Sequence, residues 1–176
     1  MGHINIEIKA RCGKPSKIRK LLRSLGADFK GKDHQIDTYF KVPNDRLKLR
    51  EGNIENCLIY YQRKNKRGPK QSDVILFKTS SDTSLKEILS KSLGILVVVD
   101  KQREIYFMDN VKFHIDNVKR LGSFVEIEAI DKNGSIGKDR LLQQCECYMN
   151  LFNIERKDLI SISYSDLLLG INSNIV

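Results

Sequence analysis

The chain has 176 residues, 40% of them hydrophobic, and a formal net charge of +9, which suits one domain with a core and excludes a disordered chain. The longest apolar run, ILVVV at 95–99, is strand-sized and far short of the ~20 residues of a membrane-spanning helix, so no membrane partner is expected. Four cysteines without a CxxC pair and three scattered histidines argue against a zinc site or a disulfide framework and point to reduced thiols in the cytoplasm.

Strand-like sequence begins at residue 4, so no leader peptide is expected. Residues 4–11, INIEIKAR, alternate Ile4, Ile6, Ile8 and Ala10 with Asn5, Glu7, Lys9 and Arg11, the period of a strand with one greasy and one ionic face. Pro15, Ile18, Leu21, Leu22 and Leu25, stopped by Gly26, mark a short amphipathic helix. HQIDTYF (34–40), RLKLR (46–50), CLIYYQRK (57–64) and DVILFK (73–78) are expected strands, and the basic Gly-Pro stretch 64–72 between the last two is expected as a mobile loop. A second helix is expected over 83–93, then strands at 96–103, 104–109, 111–116 and 123–130. The third helix carries Leu141, Leu142, Cys145, Tyr148, Met149 and Phe152, and 166–176 is expected as a tail, with Ser163 able to cap SDLLLG.

No low-complexity linker divides the sequence, so 1–176 reads as one domain: an α+β fold with an antiparallel barrel of about eight strands and flanking helices. Strand after strand carries ions on one face and aliphatics on the other. If three helices cover the aliphatic faces from outside, the ionic faces line a charged lumen.

Glu126 and Glu128 leave the same face of one strand. Two such carboxylates repel unless a cation lies between them, and Mg²⁺ or Mn²⁺ supplies one, with Glu7 and Asp116 completing the site. Neutralising either glutamate is then expected to leave the fold intact or strengthen it. Lys9, Arg11, Arg46, Lys48, Arg50, Arg63, Lys101, Arg103 and Lys112 come from alternating strands, and together they suit a polyanion such as a triphosphate. Solvated strand faces with cross-strand ion pairs explain both sets without a ligand. Lys70 is placed where it reaches a ligand at a tunnel mouth. His114 reads as a strand residue bonded to a neighbour rather than a metal ligand. There is no GxxxxGK[ST], no GxGxxG and no RNP aromatic motif, so neither nucleotide folds of those kinds nor nucleic acid is favoured.

The residues together resemble the CYTH superfamily, the triphosphate tunnel metalloenzymes, and within it the class IV adenylyl cyclase-like branch. INIEIKAR is similar to the family's amino-terminal ExExK strand, and QIDTYF, RLKLRE, LIYYQR with GPKQSD, VDKQR and KFHIDNVKRLGSFVEIE follow in family order over about residues 4–165. The resemblance implies a charged tunnel, a divalent metal at Glu7, Glu126 and Glu128 with Asp116 close by, and phosphate binding by Lys9, Lys48, Arg50, Arg63, Lys101, Arg103 and Lys112, with Arg46 and Lys70 as further candidates. The first Glu of ExExK is Asn5 here, which leaves one metal or two open. The implied reaction is cyclisation of ATP to cyclic AMP and pyrophosphate, with Asp37 or Tyr39 as base. The alternatives are a triphosphatase acting on tripolyphosphate, thiamine triphosphate or a nucleotide, and a non-catalytic polyanion or nucleic-acid binder. A homodimer is compatible with all three.

Overall fold

The computed structural model describes residues 2–80 and 84–173. The alternating segments become β1 (Gly2–Arg11), β2 (Asp28–Phe40), β3 (Arg46–Glu51), β4 (Cys57–Arg63), β5 (Lys70–Lys78), β6 (Ile95–Met108), β7 (Val111–Val118) and β8 (Gly122–Asp131). These eight strands form a closed barrel in the order β1-β5-β4-β3-β2-β6-β7-β8, antiparallel at every pairing. Closure leaves the barrel without a free sheet edge. Around it lie α1 (Pro15–Ser24), α2 (Leu85–Leu93), α3 (Lys138–Leu151) and α4 (Tyr164–Ser173). The expected α+β barrel with flanking helices is therefore present.

The aliphatic strand faces point outward, the inverse of an ordinary small barrel. Ile6, Ile8 and Ala10 of β1, Val111, Phe113 and Ile115 of β7, and Val125, Ile127 and Ala129 of β8 form one buried cluster with Ile18 and Leu22 of α1 and Leu141 and Cys145 of α3. Pro15 opens α1 in its first turn, where its missing N–H costs nothing. A second cluster fills one end of the lumen: Tyr39, Tyr61, Val97, Val99, Val118 and Phe124 meet Tyr164 and Leu168 of α4.

Four expectations need correction. The two strands expected at 96–103 and 104–109 are one strand, β6, since no turn residue separates Arg103 from Glu104. β2 begins at Asp28, six residues before the alternation at His34 becomes legible; the register shifts between Phe29 and Gly31, and Gly31 has φ 131°, a bulge that hides the period. β5 begins at Lys70, so Lys70, Gln71 and Ser72 are strand rather than loop residues. The expected tail is α4, a helix seated on the barrel, whose start is capped as expected: Asp166 N–H donates to Ser163 Oγ at 3.1 Å and Ser163 N–H to the Asp166 carboxylate at 3.1 Å. The second helix forms but buries none of its residues, so only α1 and α3 cover the outer aliphatic cluster. Residue 83 of that expected helix, and 174–176 of the expected tail, lie outside the described residues.

Candidate active site

The lumen holds a cavity of about 810 Å³, lined by ionic side chains from all eight strands. Asn5, Glu7 and Lys9 of β1 face it together, as residues two apart on a strand must. Two ionic groups divide the lining.

The first group centres on Glu126. Its carboxylate meets Lys9 Nζ at 3.1 Å, Arg103 Nη2 at 2.8 Å and His114 Nδ1 at 3.1 Å. Burial pushes the Glu126 pKa up, but Lys9, Arg103 and His114 outweigh it and hold the carboxyl well below the usual range. Glu128 has a looser neighbour, His114 Nδ1 at 3.7 Å. Across the β1–β8 pairing, Glu7 sits opposite Glu128; like charges placed so repel unless a cation intervenes. Glu7 pairs with Arg63. Ligand atoms of His114, Glu126 and Glu128 lie within 4.8 Å of one another. Two carboxylates and an imidazole fit a divalent cation, the carboxylates suiting a hard ion. His114 is thus bonded to a neighbour, as expected, and is also placed to ligate. Its burial, with Arg103 close by, lowers its pKa and favours the neutral, ligating ring.

Asp116 departs from expectation. It is 1% exposed and does not line the cavity. Both its oxygens are taken by Arg103, at 2.7 and 2.5 Å, and Tyr164 Oη donates to it at 2.8 Å. Asp116 thus orients Arg103 and stands outside the His114, Glu126 and Glu128 cluster.

The second group centres on Asp37, which accepts from Arg50 at 2.8 and 2.9 Å, Lys48 at 2.9 Å and Lys101 at 2.7 Å. Burial raises its pKa, and Arg50, Lys101 and Lys48 bring it well below the usual carboxylate range. A carboxylate so engaged is a poor base. Tyr39 is no better: burial and the Asp37 charge push its hydroxyl up to about 12. In this geometry neither Asp37 nor Tyr39, the two suggested bases, is set up to take a proton, and Asp37 holds Lys48, Arg50 and Lys101 in place. Burial, against the pull of Asp37, brings Lys101 down to about 7.

Of the remaining basic candidates, Arg63 and Lys112 line the cavity, and Nε and Nη2 of Arg63 have no protein partner. Arg46 and Lys70 do not line it. Arg46 donates to Asp166 of α4 at 2.8 Å, and Lys70 to the carbonyls of Ile160 and Ser161 at 3.2 Å each; both fasten the segment that closes the lumen. Arg11 is exposed and donates to the Leu121 carbonyl at 3.3 Å.

Three contributors were not legible in the sequence. Tyr164 lies under Lys9, with Nζ 3.7 Å from the ring centroid, a cation–π contact. Glu55 joins Arg50, at 2.9 Å, and Lys112. Asp33, fully buried, accepts the backbone N–H of Ile54 at 2.9 Å and of Glu55 at 3.0 Å. Glu55 stands in a turn, where no period marks a face. Tyr164 is the first residue of α4, and nothing local says that this helix packs into the end of the barrel.

The CYTH domain model matches residues 3–164. MJ0240 of Methanocaldococcus jannaschii, described as a candidate adenylate cyclase, is 28% identical over 173 residues, covering 93% of this chain and 98% of that protein. The structure of a candidate adenylate cyclase from Vibrio parahaemolyticus superposes with a TM-score of 0.75 at 15% identity, over 96% of this chain and 99% of that one. A Hippeastrum protein, described as a candidate adenylyl cyclase with a dominant triphosphatase activity, gives 0.60 at 11% identity, over 97% of this chain and 96% of that one. At these identities the two structures speak for the fold. Taken with the motif order and the charged lumen, the family match places this chain in the CYTH domain family, the metal-dependent tunnel enzymes that act on triphosphates.

Proposed function

We propose that the protein is a Mg²⁺- or Mn²⁺-dependent enzyme that cleaves a nucleoside triphosphate in its lumen, converting ATP to cyclic AMP and pyrophosphate. The observation that carries this reading is the segregation of the lining. The carboxylates Glu7, Glu126 and Glu128 cluster on the paired strands β1 and β8, beside Lys9, while Lys48, Arg50, Lys101, Arg103 and Lys112 gather on β3, β6 and β7 around Asp37 and Glu55. The wall also carries the apolar side chains Ile54, Leu76, Phe107 and Ile130, against which a nucleoside can pack and which tripolyphosphate does not need.

In this reading Lys48, Arg50, Arg63, Lys101, Arg103 and Lys112 bind the phosphate oxygens and stabilise charge developing on the departing pyrophosphate. Asp37 and Asp116 keep Lys48, Arg50, Lys101 and Arg103 fixed before substrate arrives, so little reorganisation is needed. Glu126 and Glu128, with Glu7 and His114 beside them, hold the divalent ion, which supplies Lewis-acid polarisation of a phosphoryl oxygen. Asn5 offers a neutral oxygen, Oδ1, that has no protein partner and adjoins the same group.

The second reading, hydrolysis of tripolyphosphate, thiamine triphosphate or a nucleotide, is favoured by the engagement of Asp37 and the raised Tyr39, which leave no evident base for a ribose hydroxyl. It also accords with the activity described for the Hippeastrum protein. A purely binding role predicts affinity without metal-dependent turnover. Among the described residues no helix is long and apolar enough to cross a membrane. The four thiols are free, which suits the cytoplasm proposed for it. Incubation with ATP, tripolyphosphate and thiamine triphosphate, each with Mg²⁺ or Mn²⁺, tests the reading by its products: cyclic AMP with pyrophosphate supports the cyclase, and orthophosphate supports the hydrolase. No product from any substrate refutes both.

A further inference from the structure

Glu55 has no part in the chemistry above, yet it occupies two of the cations that a triphosphate needs. Its carboxylate accepts from Arg50 Nη1 at 2.9 Å and from Lys112 Nζ, and Gln35 Nε2 donates to it at 3.0 Å. Arg50 is on β3 and Lys112 on β7, so Glu55 reaches past the two intervening strands β2 and β6. The carboxylate lines the cavity with its side chain 24% exposed. It stands where an incoming anion would stand.

The turn that carries it is built for this. Asp33 accepts the N–H groups of Ile54 and Glu55, and Gln35 bridges Asp33, at 2.8 Å, to Glu55. A Cβ at Gly52 would lie 2.7 Å from the Asp33 carboxylate, so only glycine lets the turn close over it. The backbone is thus pinned by Asp33. The Glu55 side chain is held by the hydrogen bond from Gln35 and by its two ion pairs into the lumen; the ion pairs are the contacts that a more highly charged anion can replace.

Resting on the triphosphate reading, we propose that Glu55 is an internal competitor for the substrate: its carboxylate neutralises Arg50 and Lys112 in the free protein and yields both to a phosphate group on binding. The residue therefore keeps the lumen charge-balanced when free and raises the threshold for weakly charged anions.

The test is calorimetric titration of tripolyphosphate, without divalent ions, into the wild type, Glu55→Gln, Glu55→Asp and Glu51→Gln. Glu51 is on β3 and pairs with Lys86; its neutralisation adds the same charge without freeing Arg50 or Lys112. Glu55→Gln keeps the backbone bonds to Asp33 and is expected to bind about tenfold more tightly than the wild type, with Glu55→Asp between them and Glu51→Gln within about twofold. An unchanged or weaker affinity in Glu55→Gln overturns the proposal, and so does an equal gain in Glu51→Gln. If Glu55→Gln does not fold, the Glu55→Asp gain decides in the same way. Absence of binding by every protein overturns the triphosphate reading itself, a result distinct from equal binding by all.

Discussion

One row of β6 passes from Val97 and Val99 to Lys101 and Arg103 without leaving the lumen. At the first pair the lumen is packed shut with Phe124, Tyr164 and Leu168. At the second it is an ionic cavity in which Lys101 is 1% and Arg103 3% exposed. The two ends are stabilised by different physics. The closed end gains from apolar burial, and its residues are interchangeable at similar volume. The charged end places ions where water is scarce, and each carboxylate there is tolerable because cations surround it. Substitutions at the two ends should therefore separate stability from function.

The largest separation is expected within the glutamate pair. Glu126→Gln and Glu128→Gln should each lower metal-dependent turnover by roughly 100-fold or more, read as initial rates at limiting Mg²⁺. Their stabilities should differ. Glu126 compensates Lys9 and Arg103, so its neutralisation should cost roughly 3 kcal/mol in urea unfolding, while Glu128→Gln should stay within about 1 kcal/mol of the wild type. For Glu126 the expected outcome thus differs from the one read from the sequence, that either change leaves the fold intact or strengthens it. Equal stabilities would break the distinction.

Asp37→Asn should cost about 3–5 kcal/mol, because the buried Arg50 and Lys101, and the partly buried Lys48, lose their common partner. The sign with pH follows from the depressed pKa values of Asp37 and Glu126. Their contribution is fully present above the unfolded carboxylate range and is lost as pH falls below about 4 toward the folded values. Urea unfolding across that window should show a steeper loss in the wild type than in Asp37→Asn.

At the closed end, Leu168→Ala should cost about 2–4 kcal/mol through the cavity it leaves, with tripolyphosphate affinity unchanged. A parallel loss of affinity would mean that α4 shapes the phosphate site directly. The smallest effect concerns Lys101, at about 7. A bound triphosphate favours its charged form, so binding above about pH 7 should take up a proton, and affinity should fall by up to about tenfold per pH unit. Calorimetry at pH 8 in buffers of different ionisation enthalpy should show that uptake in the wild type and less of it in Lys101→Met.

Much of this was legible in the sequence because strand alternation is a local signal. Asn5, Glu7 and Lys9 could be placed on one face from INIEIKAR alone, and the lumen followed from the same pattern in β3, β6 and β8. What escaped depended on contacts between distant segments. Asp116 sits in the same alternation as His114, yet Arg103 and Tyr164 capture it. Lys70 and Arg46 carry the right charge but are spent on the segment that seals the barrel. Gly31 interrupts the period of β2, and Glu55 has no period to interrupt.

The central claim is that the lumen cations, not the general basic surface, hold the triphosphate. Arg63 lines the cavity with two nitrogens lacking a protein partner, while Lys66 is exposed in the loop between β4 and β5. Titration of a non-hydrolysable ATP analogue into the wild type, Arg63→Ala and Lys66→Ala tests this most directly. The account predicts a loss of about tenfold or more for Arg63→Ala and less than about twofold for Lys66→Ala; equal losses at the two positions would contradict it.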